Sequence, residues 1–237
     1  MSSVLYLSPH FDDAVLSCGG QIYDRTQRGE RIIVATICAA PPPARLSPFA
    51  ASLHARWHES GPGDFDRAAE DRAALALIGA EAIHLDIGDC IYRRAPNGEW
   101  LYGSEAAIFG ELSPLEYPLV EAVVEKLAAI QPPAPNLEII APFGVGGHVD
   151  HRLTHRAGRR IEKSWGRRVR YYADYPYAAT VAGGRPVSIS EAGRRAKIEA
   201  VRAYCSQLSS FWSNEAQMTQ AVGNWDERLF DHLAEKD

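Results

Sequence analysis

The chain has 237 residues, 46% of them hydrophobic and 23% charged, which is a globular composition with enough apolar content for one sizeable core. The formal net charge is −5 and no Lys/Arg-rich block interrupts it, so neither a nucleic-acid partner nor an acidic polymer substrate is expected. Four scattered cysteines without a C-x-x-C pair read as reduced thiols, the N-terminus carries no basic leader, and no stretch approaches the roughly 20 apolar residues of a membrane span; a cytoplasmic protein of one domain, 1–237, is expected.

Residues 4–7 form a short apolar run that reads as a buried strand ended by Pro9, and His10, Asp12 and Asp13 follow at once. Residues 14–28 resume a helix-compatible pattern closed by Gly29, and 31–37 form a β-branched strand, so the chain opens with a right-handed βαβ unit. Residues 39–64 hold Pro41, Pro42, Pro43 and Pro62 with little periodicity and read as a long loop able to reach over the tip of the first strand. A helix is predicted over 64–78, with an Asp cap and Gly79 as its stop, then a strand over 82–85. Residues 86–113 read as an insertion near the same face; Tyr92 and Trp100 within it are read first as local packing, with a cleft-lining role as the alternative. A helix over 114–130, a strand over 137–141 and a glycine-rich loop lead to a second polar stretch at His148, Asp150, His151 and His155. A strand over 169–173, a turn at Asp174, Tyr175 and Tyr177, a long helix over 190–207 and a helical tail holding Trp212 and Trp225 complete the pattern. The fold class this predicts is a Rossmann-like three-layer α/β/α sandwich with a mostly parallel sheet.

The chemistry concentrates at two strand-to-helix junctions. His10, Asp13 and one histidine of the 148–151 stretch make a two-His, one-carboxylate set that suits Zn²⁺ with an open position for water; Fe²⁺ also accepts such a set. Asp12 stands beside one ligand without being needed as one, where it can take the water's proton. His148 and His151 are three apart, one a ligand and the other an acid or oxyanion partner. The plainer readings are that Asp12 and Asp13 only complement a helix dipole, that His54, His58, His84 and His232 are caps or surface residues, and that His155 is either a support for the site or an exposed helix residue. The glycine run 144–147 lacks the P-loop Lys-Ser/Thr and the Rossmann order, so nucleotide binding is disfavoured and flexibility near a metal is the simpler role.

At these residues the chain resembles the PIG-L/LmbE superfamily of zinc-dependent de-N-acetylases. The family's His-Pro-Asp-Asp-Glu signature stands here as His10-Phe-Asp-Asp-Ala14, and its His-x-Asp-His signature as His148-Val-Asp-His151. The resemblance extends over most of residues 4–210, including Arg67 to Glu70, Lys197 and Tyr204 to Gln207. It implies that His10, Asp13 and His151 bind zinc, that Asp12 is the general base, and that His148 stabilises or protonates the tetrahedral intermediate with Asp150 orienting it. It further implies that Arg67 reaches toward the acetyl and sugar end of the site. Phe11 replaces the usual Pro and Ala14 the usual Glu, and the loop before His148 offers no tyrosine, a role that Tyr175 or Tyr177 could fill. The resulting expectation is a metal-dependent N-deacetylase acting on a small N-acetylated sugar or glycoconjugate, with specificity in 39–64 and 86–113. The alternative is a catalytically weakened homologue that binds such a conjugate without hydrolysing it. The oligomeric state, a homo-oligomer included, is left open by the sequence.

Overall fold

The opening apolar run becomes the middle of the sheet. A computed structural model describes residues 2–59, 66–132 and 134–231. In chain order they form β1 (Ser3–Ser8), α1 (Asp13–Gln27), β2 (Arg31–Thr36), α2 (Pro48–Glu59), α3 (Arg67–Leu77), β3 (Glu81–His84), α4 (Glu105–Ile108), α5 (Tyr117–Ile130), β4 (Leu137–Pro142), α6 (Val149–Trp165), β5 (Val169–Tyr172), β6 (Arg185–Pro186), α7 (Glu191–Arg202), α8 (Leu208–Phe211), α9 (Glu215–Gly223) and β7 (Arg228–Phe230). The sheet order is β3-β2-β1-β4-β5-β7-β6. Its first five strands are parallel, with Leu5 opposite both Ile33 and Ile139, and β7 turns antiparallel against β5. This is the mixed α/β sandwich with a mostly parallel sheet that the pattern predicts.

Because successive strand side chains point to opposite faces, β1 feeds two cores at once. Leu5 and Leu7 join Ile33, Ala35 and Ile139 under α5 and α6, whereas Val4 and Tyr6 join Ile32, Val34 and Ile140 on the opposite face, together with residues of α1, α3 and α7. Both faces of the central strands are therefore apolar, as a sheet covered on both sides requires. Lys197 of α7 is fully buried, and its Nζ lies 3.0 Å from Glu227 Oε1. Glu227 also accepts from the Gly20 and Gln21 backbone N–H groups, tying α7, α1 and the C-terminal segment together.

Four predicted elements differ, one being the helix predicted over 190–207, where α7 ends at Arg202 and residues 203–207 run as turn before α8. The stretch read as a loop over 39–64 contains α2, whose start is fixed by the Ser47 hydroxyl accepting from Ala50 N at 2.9 Å. Phe49, Leu53 and Trp57 recur four apart along it and pack against the first core, a helical stripe that the neighbouring prolines obscure. The cap of α3 is Asp66, which accepts from Ala69 N, rather than Asp64, which lies outside the described residues. The tail is not wholly helical, since β7 adds to the sheet and carries the two-residue β6 at the edge. No helix among the described residues is long and apolar enough to cross a membrane. The strand order reverses direction between β1 and β4, and in open α/β sheets the crevice at that reversal is where ligands bind.

Candidate metal centre and active site

The turn after β1 is built by its own side chains. Ser8 Oγ donates to the His10 carbonyl at 2.7 Å and accepts from Ala14 N at 3.0 Å, while His10 N donates to Asp13 Oδ2 at 2.9 Å. The loop thus closed holds Asp12 at φ 92°, and it is a non-glycine residue with positive φ. A backbone angle of that kind costs on the order of 1–3 kcal/mol and persists only where its surroundings enforce it. Asp12 caps α1 without spending its carboxylate on a cap hydrogen bond, so the carboxylate faces the crevice.

The second junction meets the first across the β1–β4 boundary. His10 Nδ1 lies 3.2 Å from Asp13 Oδ2, and His151 Nε2 lies 3.3 Å from Asp13 Oδ1. The far nitrogen of each ring is held by a buried carboxylate: His10 Nε2 is 3.0 Å from Asp150 Oδ2, and His151 Nδ1 is 2.7 Å from Asp174 Oδ1. Metal-ligating histidines are braced in this way by an outer carboxylate that fixes the ring, and here both inner nitrogens turn toward Asp13, the third candidate ligand. The ring nitrogens of His10, His148 and His151 also lie within 4.8 Å of one another. The donor set therefore fits a divalent metal, with Asp13 and His148 both in reach of the two shared histidines.

The electrostatics separate the two adjacent carboxylates. Burial, reinforced by the charge of Asp13, pushes the Asp12 carboxyl up to about 8. Burial works against ionising Asp13 as well, but the charges and hydrogen bonds of His151 and His10 outweigh it and hold that carboxyl well below the usual range. Burial, then the neighbouring His10, brings His148 down to about 4. Its Nδ1 accepts from Asp150 N at 3.3 Å at the head of α6, so the neutral ring carries its proton on Nε2.

Several expected residues occupy other relationships. Asp150 meets His148 through its backbone N–H, while its carboxylate serves His10, accepts from Cys90 N at 2.9 Å and pairs with Arg93. Arg67, the first residue of α3, lays its guanidinium 4.6 Å from the Trp57 ring and 5.5 Å from the Phe11 ring. Tyr177 lines the cleft, its ring 5.3 Å from that of His151. Tyr175 instead packs against Trp225 and Trp212 in the second core and is not among the cleft residues. The glycine run answers to space and not to flexibility: a Cβ at Gly146 would stand 2.4 Å from Tyr177 Cγ, and its φ is 89°. His84 is no surface residue, since its Nε2 lies 2.8 Å from Asp71 Oδ2 and its ring meets Phe11 edge-on. His54 is half-buried and bonded to the Tyr92 hydroxyl, whereas the His58 side chain and His232 lie outside the described residues. His155 is half-buried, with Nδ1 3.0 Å from the Pro142 carbonyl, and it supports the strand end that precedes the site. Trp100 stacks on Arg94, as local packing predicts, while Tyr92 lines a cavity.

Three contributors have little local signal in the sequence: Asp174, Asp89 and Arg93. Asp174 follows the end of β5, a place where a carboxylate at a parallel strand's C-terminal tip is itself a hint. Asp89 Oδ2 lies 3.8 Å from His10 Nε2. Arg93 comes from the insertion and links Asp150 to Glu116, with Nε 2.7 Å from Glu116 Oε1. Asp89 is the one of the three that lines the cleft itself, a space of about 200 Å³ in which Asp12 and His148 stand beside the histidine–carboxylate cluster, with Leu53, Ile91, Ile108 and Phe109 as its apolar wall.

The family described as GlcNAc-PI de-N-acetylase, PIG-L, matches residues 5–162. The 2'-N-acetylparomamine deacetylase of Niallia circulans is 29% identical over 186 residues, which cover 73% of this chain and 66% of the relative. The protein of the same name from Streptomyces fradiae is 30% identical over 177 residues, covering 73% of this chain and 57% of the relative. The chain therefore spans less than two thirds of the length of either relative. Among solved structures, the zinc-inhibited form of teicoplanin deacetylase superposes with a TM-score of 0.79 at 26% identity, over 93% of this chain and 90% of that one.

Proposed function

Proceeding from the fact that the chain belongs to the PIG-L family, we propose that it is a metal-dependent hydrolase, acting in the cytoplasm as one domain over 1–237, that removes the acetyl group from an N-acetylglucosamine-type sugar or sugar conjugate to give acetate and a free amine. The observation that carries this reading is the Asp13 carboxylate spanning His10 and His151, each braced from behind by Asp150 or Asp174. His10, Asp13 and His151 would hold Zn²⁺, with Fe²⁺ the other cation the donors accept. When bound, the cation acidifies a water and polarises the amide carbonyl.

The remaining work falls to this chain's residues. Asp12, unpaired by any cap and facing the cleft, takes the water's proton when ionised and returns it to the departing amine, its raised pKa making the carboxylate the stronger base. His148, with its proton on Nε2, donates toward the oxygen on which charge develops. Tyr177 presents its ring across the cleft from Phe109 and stands in for the tyrosine that the glycine loop lacks. Arg67 lines the cleft and offers guanidinium donors to the sugar hydroxyls. The 39–64 and 86–113 segments shape the acceptor's surroundings, through Trp57 and Ile91 among others.

Ala14 supports a second reading. It is buried in the second core and contributes no polar group where the family carries Glu, so a homologue that binds without hydrolysing fits that one residue. Metal content of the purified chain, together with amine release from N-acetylglucosamine and its glycosides with and without zinc, separates the two. Stoichiometric metal and metal-dependent amine release support the hydrolase. Metal and sugar binding without release, unchanged in Asp12→Asn, supports the binding protein, and a chain that takes up no zinc overturns both.

A further inference from the structure

A second cavity, about twice the volume of the cleft at roughly 410 Å³, opens beside it, and Trp57, Arg67 and Asp89 line both. Beyond those shared residues its wall is mostly apolar, with Phe11, Pro41, Pro42, Tyr92, Cys38 and small alanines, while His54 and Asp66 add polar groups to it. The larger compartment is mainly apolar, the cleft carries the polar cluster, and the residues the two share, at the neck between them, include the polar Arg67 and Asp89. A hydroxylated ring suits the neck, where Arg67 and Asp89 provide hydrogen-bonding groups, so whatever enters the larger cavity is attached to that ring on the side away from the amide.

The charges of the neck narrow the occupant further. The Arg67 guanidinium is bracketed by the Phe11 and Trp57 rings, and its Nε has no hydrogen-bond partner. The acids nearby are already engaged: Asp66 caps α3 through Ala69 N and lies 3.7 Å from Arg72, while Asp89 accepts from Ile91 N and faces His10. A substrate ammonium in the large cavity would meet the Arg67 cation, and the two carboxylates of the wall, Asp66 and Asp89, each already hold a partner, whereas a flat apolar group would meet rings and prolines. Phe11, the residue that departs from the family's His-Pro-Asp-Asp pattern, forms part of this wall.

We propose that the cavity bounded by Phe11, Pro41, Pro42, Trp57 and Tyr92 is an aglycone subsite that takes an aryl or similarly flat apolar group carried by the N-acetylated sugar. The proposal rests on the deacetylase reading of the neighbouring cleft and deepens it by naming the substrate class.

The test compares the methyl, phenyl and 3-aminopropyl β-glycosides of N-acetylglucosamine, and N-benzoylglucosamine, on the zinc-loaded full chain. Acetate or benzoate release gives kcat/KM, and titration calorimetry gives binding independently of turnover. Burial of most of a phenyl ring is expected to bring the phenyl glycoside an advantage on the order of tenfold over the methyl glycoside in binding and in kcat/KM. The aminopropyl glycoside is expected to show no advantage. Ala40→Trp, which fills the cavity from its wall, should bring the phenyl-to-methyl ratio down to about one while circular dichroism stays native. A ratio near one in the parent chain, a ratio unmoved by Ala40→Trp, or an advantage for N-benzoylglucosamine alone each overturns the subsite. Tighter phenyl-glycoside binding that Ala40→Trp abolishes, without product from any substrate, keeps the subsite and sinks the deacetylase. Equal release from methyl and phenyl glycosides does the reverse.

Discussion

Arg93→Met tests whether the site is held from behind. Arg93 is the cation between two buried carboxylates, with its Nη2 on Asp150 and its Nε toward Glu116, which are respectively 0% and 4% exposed. Removing it leaves two uncompensated charges, and breaking a buried pair from one side costs about 3–5 kcal/mol. Asp150 keeps its bonds from Cys90 N and His10, and Glu116 keeps Tyr102, so the lower end of that range applies. In a chain of this length about 3 kcal/mol corresponds to a fall in Tm of roughly 6–12 °C, a large part of a total stability of about 5–15 kcal/mol. The same change frees Asp150 from the orientation that braces His10, and loss of such an outer partner lowers metal affinity by about 10–100-fold. Thermal denaturation reads the first effect and chelator competition at fixed pH the second. Arg93→Met combined with Glu116→Gln should recover part of the lost Tm, since it removes one stranded charge, but not the metal affinity, since Asp150 remains unbraced. Wild-type chelator competition in folded Arg93→Met would refute the link from the insertion to His10.

Four further outcomes follow from the geometry. Asp12→Asn should lower turnover by about 10²–10⁴-fold with metal content retained, whereas Asp13→Ala should lose the metal; retention of full metal by Asp13→Ala would move the third ligand to His148. Tyr177→Phe should lower kcat by about tenfold or more if its hydroxyl assists the carbonyl, while Tyr175→Phe, whose ring lies in the aromatic cluster, should leave kcat within about twofold; equal effects of the two would discard Tyr177. Gly146→Ala forces a Cβ into the Tyr177 ring and into a strained φ, so it should cost more than about 1 kcal/mol and lower activity together, read by denaturant titration and rate. Burial lowers the pKa of His155 below its ordinary 6.5, so the unfolded chain binds the extra proton; this contribution is complete above about pH 6.5 and is lost as pH falls toward the folded value. His155→Phe should therefore flatten the acid side of the Tm profile relative to the parent, and an unchanged slope would remove His155 from that account.

The reach of the sequence is set by how local each signal is. The apolar run of β1 and the turn at Ser8 to Ala14 are written in consecutive residues, so the central strand and the His10–Asp13 junction could be read directly, as could His148 to His151 at the head of α6. The helix α2 was hidden because prolines on both sides interrupt a stripe that Phe49, Leu53 and Trp57 do carry. The edge strands β6 and β7 are two and three residues long, and their pairing depends on where β5 already lies. The bracing groups fall in the same class. Asp174 reaches His151 only because β5 is the next strand beyond β4, and Arg93 reaches Asp150 only because the insertion folds back over that junction. Tyr175 and Tyr177 show the limit most clearly: two residues apart in one turn, one packs among tryptophans and the other faces the cleft. A ligand or a base needs a particular residue type at a strand tip and leaves a motif. A residue that braces it needs only to arrive from elsewhere with the right charge, and the sheet order decides which residue that is.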